Sequence, residues 1–298
     1  MTIHFHELES TRHLQPAFHE GDGLHLVRAK GRAALLEVPA GWCSVWMPLA
    51  GNLRVKSQET EWNLAPRDLL IWHEGGLRNG SQRPAWFLAL CGPPGAWRPY
   101  LPTARDQTAG VKDIFPAHSR CPREVRRLFV QLARLAVRAD ATPGLVEHLA
   151  SACCSAIAES QGEMREYLAR CGGRTAKLLR LLRVHHLIDN NPHSRLDLLH
   201  LSRIANYSPW HLTRAYRDVF GETPSEHAIR LRLKHAMELV SGSTLTVREI
   251  TETLGFESQS TFCRSFKRAY GVTTTQARSC HSYQRCPSNP TDIVAWSS

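Results

Sequence analysis

The sequence predicts an α+β chain: a strand-rich N-terminal domain, a helical middle and an all-α C-terminal domain. Three observations carry this. Residues 23–91 break into short, apolar-alternating segments, residues 122–169 carry apolar positions at helical spacing, and residues 208–223 return as 258–273. The chain has 298 residues, room for two domains at a loose ~150 residues each. It is 42% hydrophobic, enough for a sizeable core and against wholesale disorder.

The strand segments are Leu24–Arg28, Ala33–Val38, Ser44–Leu49, Leu53–Lys56, Glu61–Leu64, Leu69–Trp72 and Trp86–Cys91, divided by Gly, Pro, Asn and charged breaks. Such close spacing suggests a β-sandwich or small barrel. The stretches Pro48-Leu-Ala-Gly-Asn-Leu-Arg-Val and Trp62-Asn-Leu-Ala-Pro-Arg-Asp-Leu-Leu-Ile resemble the cupin-like sensory domains of bacterial regulators. Enzymatic cupins hold a metal on a His-x-His pair with a later Glu and His. Here His4–His6 is the only such pair, ahead of the first clear strand, and His73–Glu74 stands alone. Ligands must converge within about 2.0–2.2 Å of a metal; no strand-based set does so here, and no cofactor is expected. Six of the eight tryptophans lie in the first hundred residues. Trp42 and Trp46 share a strand face by the two-residue repeat. With Trp62 or Trp72 they either line a pocket for an apolar or aromatic effector or fill the core.

The middle begins with a loop-like Pro116–Arg120. Pro122 suits the first residue of a helix, and Val125, Leu128, Phe129, Leu132, Leu135 and Ala136 follow at helical spacing. Leu145 to Ala169 reads as a second helix, stopped by Cys171-Gly-Gly, which reads also as a hinge. The two helices form an intrachain hairpin or a dimer seam; apolar spacing alone does not choose. The nine cysteines are odd in number and contain no C-x-x-C pair, and Cys153–Cys154 sits in an apolar helical pattern as two small hydrophobes. Cys280 to Cys286 lacks a standard metal spacing. No apolar run approaches the roughly 18 residues of a membrane span. The N-terminus lacks signal-peptide order, so a cytoplasmic, nucleoid-associated protein with reduced thiols is expected.

Charge is unevenly placed. The chain holds 37 Lys/Arg and 27 Asp/Glu, for a net +10. Residues 174–285 hold 17 and 9 of these, net +8, leaving +2 elsewhere. A polyanionic partner, nucleic acid above all, is expected for the C-terminal third.

That third contains the repeat, at a constant offset of 50. Ser208/Ser258, Arg214/Arg264, Gly221/Gly271 and Thr223/Thr273 are identical; Leu212/Phe262, Tyr216/Phe266, Arg217/Lys267 and Phe220/Tyr270 are alike. Each copy has helix-turn-helix grammar. Leu198, Leu201, Ile204 and Ala205 face a first helix, Asn206 tolerates the left-handed turn, and Ser208 and Pro209 start the second helix. In the other copy Val247, Ile250 and Leu254 form the face, Gly255 the turn and Ser258 the cap. Gly221 and Gly271 stop the second helices. Pro224 to Val240 reads as one connecting helix that fixes the distance between the two units.

With these residues in place, 174–279 resembles the DNA-binding domain of the AraC/XylS family of bacterial transcription regulators. Tyr207-Ser-Pro-Trp-His-Leu-Thr-Arg is similar to the first recognition helix of its multiple-antibiotic-resistance activators, and Gly255-Phe-Glu-Ser-Gln-Ser-Thr-Phe-Cys-Arg-Ser-Phe-Lys-Arg-Ala-Tyr-Gly-Val resembles its most specific signature. The resemblance implies residues 1–105 as a cupin-like sensory domain, 106–172 as a helical linker or dimerisation region, 173–282 as the DNA-binding domain and 283–298 as a flexible tail. It also implies promoter DNA and RNA polymerase as partners, a small-molecule effector, a homodimer, no membrane and usually activation. Ser202 and Thr251 replace the usual Ala, and Thr274 and Ala277 replace the usual Pro and aromatic residue, which questions the start and packing of the last helix.

Cations attract phosphate and base edges carry specificity. The base-reading candidates are Trp210, Thr213 and Arg214 in the first unit and Gln259, Ser260, Thr261 and Arg264 in the second. His211, Arg217, Lys267 and Arg268 are the backbone candidates. Arg suits the guanine edge, Gln adenine, and Trp or a Thr methyl the thymine methyl. The bland alternatives are packing for Trp210, internal ion pairs for the arginines and plain helix surface for Thr261. A sequence-specific regulator is the leading class; a cupin-type metalloenzyme with a DNA-binding tail and an architectural DNA binder are the others.

Overall fold

The computed structural model describes residues 3–9, 12–14, 23–31, 34–58, 60–73, 76–80, 84–101, 114–138, 142–191 and 197–280. The chain divides into two compact units, residues 1–175 and 176–298.

The strands of the first unit, in chain order, are β1 (Ile3–Leu8), β2 (His13–Leu14), β3 (Leu24–Gly31), β4 (Leu35–Val38), β5 (Cys43–Ala50), β6 (Leu53–Lys56), β7 (Glu61–Leu64), β8 (Asp68–Trp72), β9 (Leu77–Asn79), β10 (Ala85–Gly92) and β11 (Ala117–Arg120). They form a six-stranded sheet in the order β1-β3-β10-β5-β8-β11 and a five-stranded sheet in the order β2-β4-β9-β6-β7. Alternation along each strand builds two cores. Val27, Ala29, Trp46, Phe87 and Ala89 face the second sheet and pack with Val55, Leu64, Leu36 and Leu77. Leu24, Leu26, Val45, Met47, Leu88 and Leu90 face the other way and are covered by helices.

Those helices are α1 (Pro94–Trp97), α2 (Arg123–Leu135), α3 (Pro143–Ser160) and α4 (Gly162–Arg170). Helices α2 and α3 pack on one another, and Val125, Phe129, Leu132, Cys153 and Ile157 join the sheet's outer core. The pair is thus an intrachain one, its apolar side buried on the sheet.

Several expectations need correction. The predicted 145–169 helix is two helices, broken at Gln161. The Gln161 side chain leaves helical service to bridge Phe115, whose N–H donates to Oε1 at 2.9 Å and whose carbonyl accepts from Nε2 at 2.7 Å. Residues 117–120, expected as loop, are a polar edge strand paired antiparallel with β8; its pattern carries no alternation because one side is open to solvent. Helix α2 starts at Arg123, with Pro122 as the capping residue before it. His4 and His6 lie on a strand after all, because β1 pairs parallel with β3. There the two rings stack with buried His25, with centroids 5.0 and 5.2 Å away. Glu74 and the 281–298 tail, with Cys286, lie outside the described residues.

The second unit contains α5 (Thr175–Asn190), α6 (Leu198–Ala205), α7 (Pro209–Phe220), α8 (Pro224–Gly242), α9 (Val247–Thr253), α10 (Gln259–Tyr270) and α11 (Thr274–Cys280). Helix α8 packs against α7, α9, α10 and α11 and so ties both repeats to one rod. No described helix is long and apolar enough to cross a membrane.

Candidate nucleic-acid interface

The two repeats position their second helices by the same local devices. Asn206 adopts the left-handed conformation at φ 54°, and Gly255 does so at φ 65°, which turns the chain between the paired helices. Ser208 accepts from the His211 N–H at 3.3 Å, and Ser258 from the Thr261 N–H at 3.1 Å. Each serine satisfies one of the helix's unpaired first-turn donors. Gly221 and Gly271 close both helices at φ 84° and 69°.

Packing then sorts the faces. Leu212, Tyr216 and Val219 of α7 are buried, as are Phe262, Phe266 and Tyr270 of α10. The opposite faces emerge into solvent. On α7 this leaves Trp210, His211, Arg214 and Arg217 exposed, with Thr213 half-buried. On α10 it leaves Gln259, Ser260, Arg264, Lys267 and Arg268 exposed, with Thr261 half-buried. Trp210 is 64% exposed, far from a packing residue, and the Arg214 guanidinium lies 5.6 Å from its ring centroid. Arg217 is paired with Glu226 at 3.2 Å. The Thr213 hydroxyl donates to the Pro209 carbonyl at 2.9 Å.

Thr223 and Glu226 form a capping box that starts α8. The Thr223 backbone N–H, its hydroxyl and Arg217 together pull the Glu226 carboxyl down to about 2. Ser202 and Thr251, the small polar replacements, donate to the Leu199 and Val247 carbonyls at 2.9 and 2.7 Å, so neither hydroxyl is left unmet in its buried site. The last helix also forms without a proline. The Gln276 N–H donates to Thr273 Oγ1 at 3.2 Å, the Thr273 N–H donates to Gln276 Oε1 at 2.9 Å, and Ala277 is fully buried in the α8–α10 core.

A polar cluster behind α7 is not legible in the sequence. The Tyr216 hydroxyl lies 2.8 Å from His185 Nδ1 and 2.7 Å from His227 Nδ1. Asp189 faces both rings, 3.1 Å from His227 Nε2 and 3.5 Å from His185 Nε2. One phenol proton cannot serve two imidazole lone pairs, so one of the histidines donates from Nδ1 to the Tyr216 oxygen. Burial pushes the His185 imidazole down to about 3, partly opposed by Asp189, which keeps it neutral. His185, Asp189 and His227 bring donor atoms within 4.8 Å of one another. The two rings nevertheless stack at 4.5 Å and 29°, and nearly parallel planes do not meet at a point about 2 Å from both nitrogens. The cluster is a hydrogen-bonded clamp joining α5, α7 and α8. The i,i+4 spacing of His185 and Asp189 is its one sequence signal.

The four tryptophans that could have lined an effector pocket are buried. Trp42, Trp46, Trp62 and Trp72 pack into the inter-sheet core, Trp62 edge-on to Trp72 at 4.8 Å. His73 is half-buried, and desolvation of its ring pushes it down to about 4, hence neutral. Burial pushes Cys153 up to about 12, raises Cys154 as well, and leaves both thiols protonated and unreactive.

Two tandem helix-turn-helix units on one connecting helix define a DNA-binding domain. A family model described as a helix-turn-helix domain matches residues 201–279. The chain is 33% identical over 87 residues to the probable transcription factor PqrA of Proteus vulgaris, covering 28% of this chain and 71% of that one. It is 26% identical over 95 residues to the MmsAB operon regulatory protein of Pseudomonas aeruginosa, covering 32% of this chain and 31% of that protein's length, so under a third of that relative is matched. Among solved structures, the C-terminal domain of AraT, a response regulator from Geobacillus stearothermophilus, is 29% identical, with a TM-score of 0.31 over 34% of this chain and 84% of that one. The chain belongs to the AraC/XylS family of transcription regulators.

Proposed function

We propose that this chain is a non-enzymatic, sequence-specific transcription regulator, acting in the cytoplasm on promoter DNA and controlled through its N-terminal unit. The observation that carries this is the pair of exposed, basic faces on α7 and α10, capped alike and held by α8. Successive major grooves on one DNA face lie roughly 34 Å apart, and a rigid connector lets one chain serve two of them. Base contacts fall to Trp210, Thr213 and Arg214 from one helix and Gln259, Ser260, Thr261 and Arg264 from the other. With its hydroxyl held by Pro209, Thr213 offers its methyl to thymine. His211, Lys267 and Arg268 take phosphates, and Arg217 does so by leaving Glu226.

Activation is the output we infer, in line with the activators among its relatives, such as AarP of Providencia stuartii. RNA polymerase and a second copy of the chain are the protein partners this reading adds. The N-terminal unit takes the sensory role, as a cupin-like domain in residues 1–105 followed by 106–172. An effector that binds one DNA-competence state better than the other would shift the balance between them.

The test is selection of sheared genomic DNA on the full-length protein at ~0.15 M salt, where nonspecific phosphate binding is screened. Enrichment of two short blocks about one helical turn apart is expected. In a binding assay on that site Arg214→Ala should cost about 1–3 kcal/mol and relax one base position. Equal affinity for selected and random DNA would sink the reading and leave an architectural binder.

A further inference from the structure

We infer that the outer face of the first unit carries a binding site for a small aromatic carboxylate, between α2 and the exposed end of the six-stranded sheet. The site follows from strand alternation. The face that buries Leu26, Met47 and Leu90 under the helices runs on past their cover, where β3 turns polar and β10 presents Trp86. A cavity of about 390 Å³ results, within the usual size range of small-molecule sites. Leu49, Leu88, Val130 and Ala133 give it an apolar floor, and Trp86, 40% exposed, walls it.

Its charged lining is cationic throughout. Arg28, Arg126 and Arg134 line the cavity, and among the described residues no carboxylate does. Arg28 is already paired with Glu7, and the Lys30 ammonium sits 5.6 Å from the Trp86 ring centroid. Arg126 and Arg134 are different: among the described residues neither has an acidic partner, and Arg126 Nη1 is buried without a hydrogen-bond acceptor. A buried unsatisfied guanidinium nitrogen is costly. Helix α2 adds to that cost by placing Arg123, Arg126 and Arg127 three and four residues apart, with only Arg127 relieved by Glu124. An anion with a flat apolar body answers both features. Its carboxylate takes Arg126 and Arg134, and its ring lies between Trp86 and the aliphatic floor. Nucleic acid is the poorer occupant: phosphate has no use for an apolar floor, and the chain outside residues 174–285 carries only +2.

The site belongs to the first unit alone, so it is tested without DNA and stands or falls apart from the promoter reading. Full-length protein is titrated calorimetrically with 2-naphthoate and with its neutral counterpart 2-naphthalenemethanol. One-to-one binding of the carboxylate is expected, with the alcohol weaker by about tenfold or more. Arg134→Glu, at an exposed position, should weaken 2-naphthoate by a similar factor while leaving the thermal melt unchanged, and Arg126→Gln should do the same if it folds. Trp86→Phe should remove most of the ligand's fluorescence quenching. Equal binding of acid and alcohol, unchanged binding by Arg134→Glu, or no heat at millimolar ligand would each overturn the site. A loss of random-DNA affinity in Arg134→Glu with no carboxylate binding would assign this face to nucleic acid.

Discussion

The two helix-turn-helix units follow the same path with different interiors. At the position where α7 has Tyr216, α10 has Phe266. Tyr216 is held by His185 and His227, whose far ring nitrogens face Asp189, in a polar clamp. Phe266 instead packs on Phe262 and Tyr270, with ring centroids 5.7 and 4.9 Å away. The caps and left-handed turns are shared. The path of a helix-turn-helix is therefore set by its ends and turn, while its core tolerates polar or apolar chemistry as long as each buried polar group finds a partner.

The comparison can be broken from either side. The largest effect is expected in the apolar unit: Phe266→Ala empties a fully buried site and should cost about 3–5 kcal/mol in urea unfolding. Tyr216→Phe makes the first interior resemble the second but strips both imidazole Nδ1 atoms of the shared hydroxyl. It should cost about 1–3 kcal/mol, and a neutral result would show that the clamp adds nothing.

Acid should separate the units next. His185 titrates near 6.5 in an unfolded chain but only near about 3 when folded, because burial disfavours its charged form. The unfolded state thus takes up a proton that the folded state refuses. The stability His185 contributes is complete above about 6.5 and is lost as pH falls through the interval down to about 3. Asp189, His227, His186 and Arg230 surround it and set the balance. Urea midpoints should drop between pH 7 and 5, and His185→Phe, which keeps the stack on Phe220, should flatten that drop. An unchanged slope would place the acid sensitivity elsewhere, with His73, held neutral by desolvation, the next residue to test.

The smallest effect probes what the units share. Ser208→Ala and Ser258→Ala should each cost about 0.5–2 kcal/mol, and by similar amounts. A large difference between them would mean that the caps are not equivalent.

Most of the second unit is legible in the sequence. The offset-50 repeat, Asn206 and Gly255 at the turns, the two serine caps and the two terminal glycines are local signals, each with its own physical cause. The first unit is less legible. Seven of its strands show because alternation is local. Strands β1, β2, β9 and β11 do not, because they are short, or polar on an open side, and exist only through pairing. The exposed DNA-facing candidates follow from helical periodicity; the clamp behind them does not.

By itself the sequence determined the order of the helices in the two helix-turn-helix units, their caps, turns and stops, and the sidedness of α7 and α10, because these depend on residues within a turn or two of one another. Tertiary structure alone decided which distant groups meet. It brought Gln161 to Phe115, stacked His25 with His4 and His6, joined Tyr216 to residues on two other helices, and set Arg126 and Arg134 beside Trp86. A buried polar or charged group takes whatever partner the packing brings within hydrogen-bonding reach, and that depends on the three-dimensional arrangement of elements far apart in the chain.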